Sequence, residues 1–305
     1  MRLDPRWIVL DLAGPDDGDL MVHSIGGVPC ERTLRRAIKV CDLQLDREGS
    51  ELLSKYVREL DRSQHDFQVQ TGGLHIAHHV VEHPAHGPLA VAVWMHPDPP
   101  APRAVLNTWV LDLDDLTTVT AGDDVTILGD GREEGEERPI QDLWRFLNPA
   151  DAAELVTRYR EAVVGPDRSW MGIEWSLALP DAEPLHLYSG GRLRVDGDHR
   201  MIVGTSVVLE ERTAKPPDLL GPLVAFAGIT LAVVNREAQS AVTSVGADAP
   251  LSYEALRKLV TAHDLYSSET FTVELDDRNY SAQVVPLASP TGGAATVMLR
   301  RQENG

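Results

Sequence analysis

Two cysteines in 305 residues are too few for a disulfide framework. Cys30 and Cys41 form no CxxC pair; they flank an amphipathic stretch and read as buried thiols of a reducing compartment. Basic residues are scarce as well, with 28 Lys and Arg against 47 Asp and Glu, a formal net charge of −19. Any basic patch would sit in a repulsive field, which argues against a phosphate backbone or an anionic membrane surface as partner. The longest uncharged run, 219–234, contains Gly221, Pro222 and Gly228. It falls short of the roughly 20 apolar residues a spanning helix needs. The apolar start Trp7-Ile8-Val9-Leu10 soon meets Gly14, Asp16 and Asp17 and lacks the core of a secretion signal. Together these absences lead to the expectation of a cytoplasmic protein that inserts in no membrane.

Catalytic and phosphate-binding signatures are missing too. There is no GxxxxGK[ST], no strand-to-helix GxGxxG and no GxSxG elbow. Gly26-Gly27 reads as a turn, and Ser24 and Ser206 lie near glycines without a nucleophile's setting. The acidic run Asp130 to Glu137 lacks the EF-hand pattern and reads as a solvated, mobile loop. Asp123-Asp124 and Asp276-Asp277 are expected in turns, with no acid–base role.

What is present is a repeat. Trp7-Ile8-Val9-Leu10-Asp11-Leu12 returns as Trp109-Val110-Leu111-Asp112-Leu113, with a weaker echo in Ile229 to Asn235. A spacing of roughly 100 residues is that of a small domain rather than of a solenoid. The seams His96-Pro97-Asp98-Pro99-Pro100-Ala101-Pro102 and Lys215-Pro216-Pro217 cannot continue a sheet, because proline lacks the amide donor. They divide the chain into units at 1–99, 104–213 and 218–301.

Periodicity within the units is helical first and two-residue afterwards. In the middle unit Ile140, Leu143, Trp144 and Leu147 share a helical spacing up to Asn148-Pro149. A second helix is expected from Asp151, with Asp151 and Glu154 as a capping box and Gly165-Pro166 as its stop. Alternating residues then predict strands over 171–179 and 185–195, with Gly190-Gly191 as a bulge, a turn at Asp196-Gly197 and a last strand through Met201, Val203, Thr205, Val207 and Leu209. In the first unit Leu34, Ala37, Ile38 and Cys41 fit one helix, 52–60 another, and strands are expected at 66–71, 74–81 and 89–95. In the third, Tyr253, Leu256, Leu259 and Val260 fit a helix, with strands near 269–275, 279–288 and 294–300 and turns at Asp276-Asp277 and 290–293. The expected class is α+β: three tandem modules, each an antiparallel sheet with helices packed on one face.

The segment Leu143-Trp144-Arg145-Phe146-Leu147-Asn148-Pro149-Ala150-Asp151 resembles the helix-linking stretch of the PAS superfamily, with Asn148 where histidine is usual. Gly204-Thr205-Ser206-Val207-Val208-Leu209-Glu210-Glu211 resembles the last PAS strand, although Val208 stands near the usual acidic position. The third unit is similar to a short, divergent PAS domain, and the first is PAS-like or GAF-like. As a whole the chain resembles an actinobacterial family, represented in mycobacteria, of cytosolic proteins with three sensor-type domains and no output domain. The resemblance implies small-molecule sensing or protein–protein signalling and no catalysis. It implies no flavin or haem, since the middle and third units have no cysteine and the helix 151–164 has no histidine; His263 reads as a dipole partner at a helix end.

Two candidate sites follow. Trp144, Tyr159, Trp175 and Tyr188 are amphipathic aromatics that could line an apolar pocket between helices and sheet, or pack as ordinary core. His75, His79, His83 and His86, with His78 and His96 nearby, could close a metal site, although His75 and His79 face away from His78 on a strand. Several imidazoles together could also respond to pH. The functional expectation is a sensor or adaptor that binds a small molecule or protein partner and signals by domain rearrangement, as a possible homodimer; the apolar segment 219–226 could either pack a dimer interface or cap the third unit's sheet. Alternatives are a metal-dependent enzyme using the histidines, and a ligand-free interaction scaffold.

Overall fold

The computed structural model describes residues 1–14, 20–40, 42–148, 151–180, 182–197, 199–212, 220–247, 251–267, 269–287 and 293–302. Cys41, Asp16, Asp17, Pro149, the seam Lys215-Pro216-Pro217 and most of the turn 290–293 lie outside the described residues.

Three antiparallel sheets follow one another along the chain. The first contains β1 (Ile8–Asp11), β2 (Met21–Ile25), β3 (Val28–Thr33), β4 (Asp66–Thr71), β5 (Leu74–His83) and β6 (Gly87–His96), in the order β3-β2-β1-β6-β5-β4. The second contains β7 (Leu106–Asp112), β8 (Thr117–Gly122), β9 (Glu137–Pro139), β10 (Trp170–Leu177), β11 (Leu185–Asp196) and β12 (His199–Leu209), in the order β10-β11-β12-β7-β8-β9. The third contains β13 (Ile229–Asn235), β14 (Ser240–Gly246), β15 (Phe271–Leu275), β16 (Arg278–Pro286) and β17 (Ala294–Arg301), in the order β14-β13-β17-β16-β15. In each, the opening strand lies between the strand that follows it and the last strand of the sheet. The three echoing segments of the sequence occupy that same place, as β1, β7 and β13.

Helices cross over at the same point of each plan. They are α1 (Leu34–Lys39) and α2 (Arg47–Glu59), then α3 (Gln141–Trp144) and α4 (Ala152–Val164), and then α6 (Tyr253–Ala262); α5 (Leu220–Phe226) precedes β13. Asp46 and Ser252 cap α2 and α6 by accepting the N–H of Gly49 and Ala255, satisfying amides that the first turn leaves open.

The expectation of helices on one face of each sheet is incomplete, because the opposite faces are not left to solvent. Sheet 1 packs α1 and α2 on Leu10, Val22, Val91 and Val93. Its other face, through Val9, Val81, Ala90 and Ala92, packs directly on Leu106, Tyr188, Val207 and Leu209 of sheet 2. Alternation along β6 makes this physical: Val91 and Val93 point to the helices, Ala90 and Ala92 to the facing sheet, and all four are fully buried. The far face of sheet 2 carries α3 and α4, and Val233, Val242 and Val245 of sheet 3 join that same core. The outer face of sheet 3 is covered by α6. The result is a stack of helices, sheet, sheet, helices, sheet and helix, with apolar cores running across both seams. At the first seam Trp7 Nε1 donates to the Ala101 carbonyl at 2.6 Å and Trp94 Nε1 to that of Asp98 at 3.1 Å, so the proline-rich segment is pinned to sheet 1.

Three local expectations are corrected. Asp151 is not a side-chain cap: its carboxylate accepts the Ser176 amide at 2.8 Å and pairs with Arg212 at 2.8 Å, tying α4 to the sheet. Gly190-Gly191 is no bulge, since β10, β11 and β12 pair without a register shift through 170–192 and 186–209. Gly190 is required for space instead: a Cβ there would lie 2.6 Å from the Trp170 ring and 3.1 Å from that of His23 on sheet 1. The run 130–137 is not a free solvated loop either. The Arg132 side chain is buried against the Asp130 carboxylate at 2.6 Å and donates to Thr120 Oγ1 at 2.8 Å. Burial pushes the Asp130 carboxyl up, but the guanidinium outweighs it and leaves the group below its ordinary range.

Overpacking a dense interface costs on the order of 1–3 kcal/mol. Gly190→Ala is therefore expected to lower the free energy of unfolding by about 1–3 kcal/mol in urea titrations, and an unchanged midpoint would contradict the close packing of the two sheets.

Candidate functional site

The helix-side face of sheet 2 encloses a cavity of about 110 Å³. Its floor is laid by β7 (Trp109, Leu111), β11 (Leu187, Ser189), β12 (Ile202, Ser206, Val208) and β10 (Met171, Ile173, Trp175), and Leu143, Trp144 and Arg158 of α3 and α4 form its cover. Odd-numbered residues of β10 and even-numbered residues of β12 reach it, as two-residue alternation dictates.

The walls are largely apolar, with a short polar line at one end. Trp175 Nε1 donates to Ser189 Oγ at 2.8 Å, and Ser189 Oγ and Ser206 Oγ lie 2.6 Å apart. Some neighbouring polar groups are already engaged, whereas Trp109 Nε1 and Arg158 Nε are buried without a partner. Asn107 exchanges bonds with the Asp124 backbone at 2.8 and 3.1 Å, and Thr120 accepts from Arg132. Arg158 pairs with Glu161 at 2.9 Å and Glu154 at 3.6 Å.

Of the four aromatics expected together, Trp144 and Trp175 line this cavity. Tyr159 sits in the core shared with sheet 3. Tyr188 lies on the other face of β11, against sheet 1, where its hydroxyl donates to Glu31 at 3.1 Å and its ring is 4.6 Å from that of His23. Burial raises the hydroxyl pKa of both tyrosines. Both faces of β11 are buried, so alternation alone could not say which parity meets the helices.

The histidines do not converge. His75 and His79 are four residues apart on β5, about 13 Å along a strand, and His75 pairs across the sheet with His96. His79 is held at 2.6 Å by Asp66 and at 3.0 Å by Asp123 of the second unit. His83 and His86 have ring centroids 5.2 Å apart, and burial lowers the pKa of each. His78 faces away, bonded to Tyr56 at 2.7 Å and to the Gln64 carbonyl at 2.9 Å. His263 ends α6 and stacks on Phe271 at 4.3 Å. The one group of three potential ligands among the described residues is Asp112, Asp114 and His199, where the carboxylates already accept the amides of Asp115 and Arg200. Ser176 Oγ and His186 Nδ1 are 2.7 Å apart, but Ser176 is fully buried and neither residue lines the cavity.

One likeness that spans nearly the whole length is to a mycobacterial protein. A crystal structure of an uncharacterized protein from Mycobacterium tuberculosis is 14% identical and covers 98% of this chain and 94% of its own, with a TM-score of 0.59. The two share a fold; at that identity nothing more is carried over. An RNA-binding Light-Oxygen-Voltage receptor (11% identity, TM-score 0.28) covers 65% of this chain and 95% of its own. The ligand-binding domain of a Pseudomonas aeruginosa amino acid chemoreceptor in complex with GABA (13%, TM-score 0.24) covers 64% and 73%. Similarity at those scores supports no argument about this chain. No family model and no curated protein matches the sequence.

What sequence reasoning missed lies between the first two sheets. Asp11 pairs with Arg192 at 2.5 Å, both side chains nearly buried, and Thr108 Oγ1 donates to the Glu82 carbonyl at 2.9 Å. His23 donates from Nε2 to the Thr205 carbonyl at 2.9 Å, which leaves Nδ1 as a buried nitrogen without a partner. The available signal was the run of small residues, Ala90, Ala92, Gly172 and Gly190, on strands that otherwise favour large side chains.

These histidines give the interface opposite pH limbs. Burial pushes His23 down to about 4, so between an ordinary value near 6.5 and that point only the unfolded chain takes up the proton. Its stabilising effect is complete above about 6.5 and lost as pH falls to about 4, by at most about 3 kcal/mol. The hydrogen bond it donates to the Asp123 carboxylate raises His79, whose contribution is complete below about 6.5 and lost as pH rises through its raised value. In chemical denaturation across pH, His23→Gln is expected to flatten the acid limb and His79→Gln the limb above 6.5; profiles parallel to the parent chain would contradict both assignments.

Proposed function

We propose that this chain is a non-enzymatic sensor or adaptor that takes a small molecule in the sheet 2 cavity and passes the change on through the sheet 1 interface to a protein partner. The observation that carries this reading is the position of the cavity. Its floor strands β11 and β12 also supply, one residue away, Tyr188, Thr205 and Val207 to the contact with sheet 1. An occupant that shifts Ser189 or Ser206 therefore shifts the groups that hold the first unit.

The repeated strand order supports reading the three units as copies of one PAS-like plan, with boundaries near 99–104 and 213–218. The buried interfaces argue for small displacements across packed layers rather than free swinging of domains. Leu223 and Phe226 on α5, 63% and 94% exposed, are apolar groups available to a partner. Among the described residues no helix is long and apolar enough to cross a membrane, and we take the chain to act in the cytoplasm.

Native mass spectrometry of freshly purified, untagged full-length protein tests the reading. Wild type is expected to retain, or to take up from an apolar fragment library, one small molecule per chain. Ile173→Phe, which fills the cavity from β10, is expected to lose it while its Tm stays within a few degrees. Wild type that neither retains nor takes up any compound would overturn the sensor reading.

A further inference from the structure

Donors are left over in the cavity lining: Trp109 Nε1 and Arg158 Nε are buried without a partner, and the serine pair has one hydrogen to spare. Trp175 Nε1–H has Ser189 Oγ as its acceptor, and Ser189 and Ser206 share a single 2.6 Å contact. Two hydroxyl hydrogens are present and one closes that contact. Whichever serine donates, the second hydrogen has no acceptor among the described residues. A buried donor without an acceptor carries a desolvation cost that an occupant's oxygen would remove.

Charge and size narrow the occupant further. Arg158 is matched by Glu154 and Glu161, and Arg132, behind Thr120, by Asp130. Among the described lining residues the guanidinium charges are thus matched, even though Arg158 Nε keeps a free hydrogen, and the chain's net charge of −19 repels an anion. The volume, about 110 Å³, is near the roughly 150 Å³ of an engineered apolar cavity that admits benzene. A fused polycyclic system exceeds it.

We infer that the cavity takes a neutral, apolar molecule of monocyclic size that bears a hydrogen-bond acceptor such as a carbonyl oxygen, held by the Ser189–Ser206 hydroxyl pair. This rests on the cavity being a binding site, as proposed above. Apolar contact with Trp109, Leu187, Ile202 and Trp175 supplies affinity, and the single acceptor sets orientation.

The test is an NMR titration of the full-length protein with acetophenone, with α-methylstyrene, which replaces C=O by C=CH₂ at nearly the same shape, and with benzoate. Acetophenone is expected to bind about fivefold tighter than α-methylstyrene, the effect of one net hydrogen bond, and benzoate to bind at least tenfold more weakly than acetophenone. The double variant Ser189→Ala with Ser206→Ala, made in a Trp175→Phe background because the indole N–H would otherwise be freed to donate to the ketone, is expected to equalise acetophenone and α-methylstyrene. Equal affinities in the wild type would overturn the acceptor-bearing class and leave the cavity reading standing. Tighter binding of benzoate would overturn the neutral class. A preference that persists in the double variant would overturn the hydroxyl assignment. Failure of all three compounds to bind, with none retained from the cell, would overturn the site itself. The wild-type comparison decides the class even if the double variant does not fold.

Discussion

Sheet-on-sheet packing between the first two units is the contact on which the rest of the architecture depends. Val9, Val81, Ala90 and Ala92 meet Leu106, Tyr188, Val207 and Leu209 without an intervening helix. Apolar burial is non-directional, so it does not by itself choose one alignment of two sheets. The polar ties around the patch supply direction: Asp11 to Arg192, His23 to Thr205, Glu31 to Tyr188, His79 to Asp123 and Glu82 to Thr108 each join one residue of the first unit to one of the second. Each is a buried or half-buried polar contact whose loss would strand its partner, so together they select one register of the stack.

Small residues make that stack close. Gly172 is the sharpest case, because a Cβ there would lie 2.1 Å from the Glu31 carboxylate and 2.8 Å from the Tyr188 hydroxyl. Glu31 itself has φ of 51°, an unfavourable region for a side chain larger than Asn or Asp, and it reaches over a glycine on the facing sheet. Local strain on β3 and a missing side chain on β10 are thus two halves of one contact. The same β10 carries Met171, Ile173 and Trp175 into the cavity from its other side.

Strand and helix existence was legible in the sequence wherever one period dominated. The strands of the second half of each unit, the helix stripe of α4 with its stop at Gly165-Pro166, and the turn at Asp276-Asp277 all follow from spacing and turn chemistry. Face assignment was not legible. Alternation tells buried from exposed when one face is wet, and β6 and β11 are buried on both. That is why Tyr188 was grouped with Trp144 and Trp175 although it points the opposite way. Asp151 shows a second limit: Asp-x-x-Glu before an apolar stripe fits a capping box, yet the carboxylate is drawn to the Ser176 amide and Arg212, partners far along the chain. The run 130–137 shows a third, because its one arginine could not be seen to fold back into a buried pair with Asp130 behind the cavity wall.

A floor shared by two contacts also decides how the proposed signal would travel. Ser189 and Ser206 face the cavity while Tyr188, Thr205 and Val207, their immediate neighbours, face sheet 1. In a ladder paired without register shift from Asp196↔His199 to His186↔Leu209, a strand cannot tilt one parity without tilting the other. Close-packed interiors respond to such a tilt by repacking between discrete arrangements rather than by yielding smoothly. The element best placed to register it is His23: its ring is wedged against Tyr188, its Nε2–H depends on the Thr205 carbonyl, and its Nδ1 has no bond to lose. Withdrawal of Thr205 would leave a buried imidazole with neither nitrogen satisfied, a state costly enough to favour separation of the sheets at that corner or rotation of the ring to a new acceptor. Occupancy of the second unit would in that way be read in the first through one carbonyl–imidazole bond.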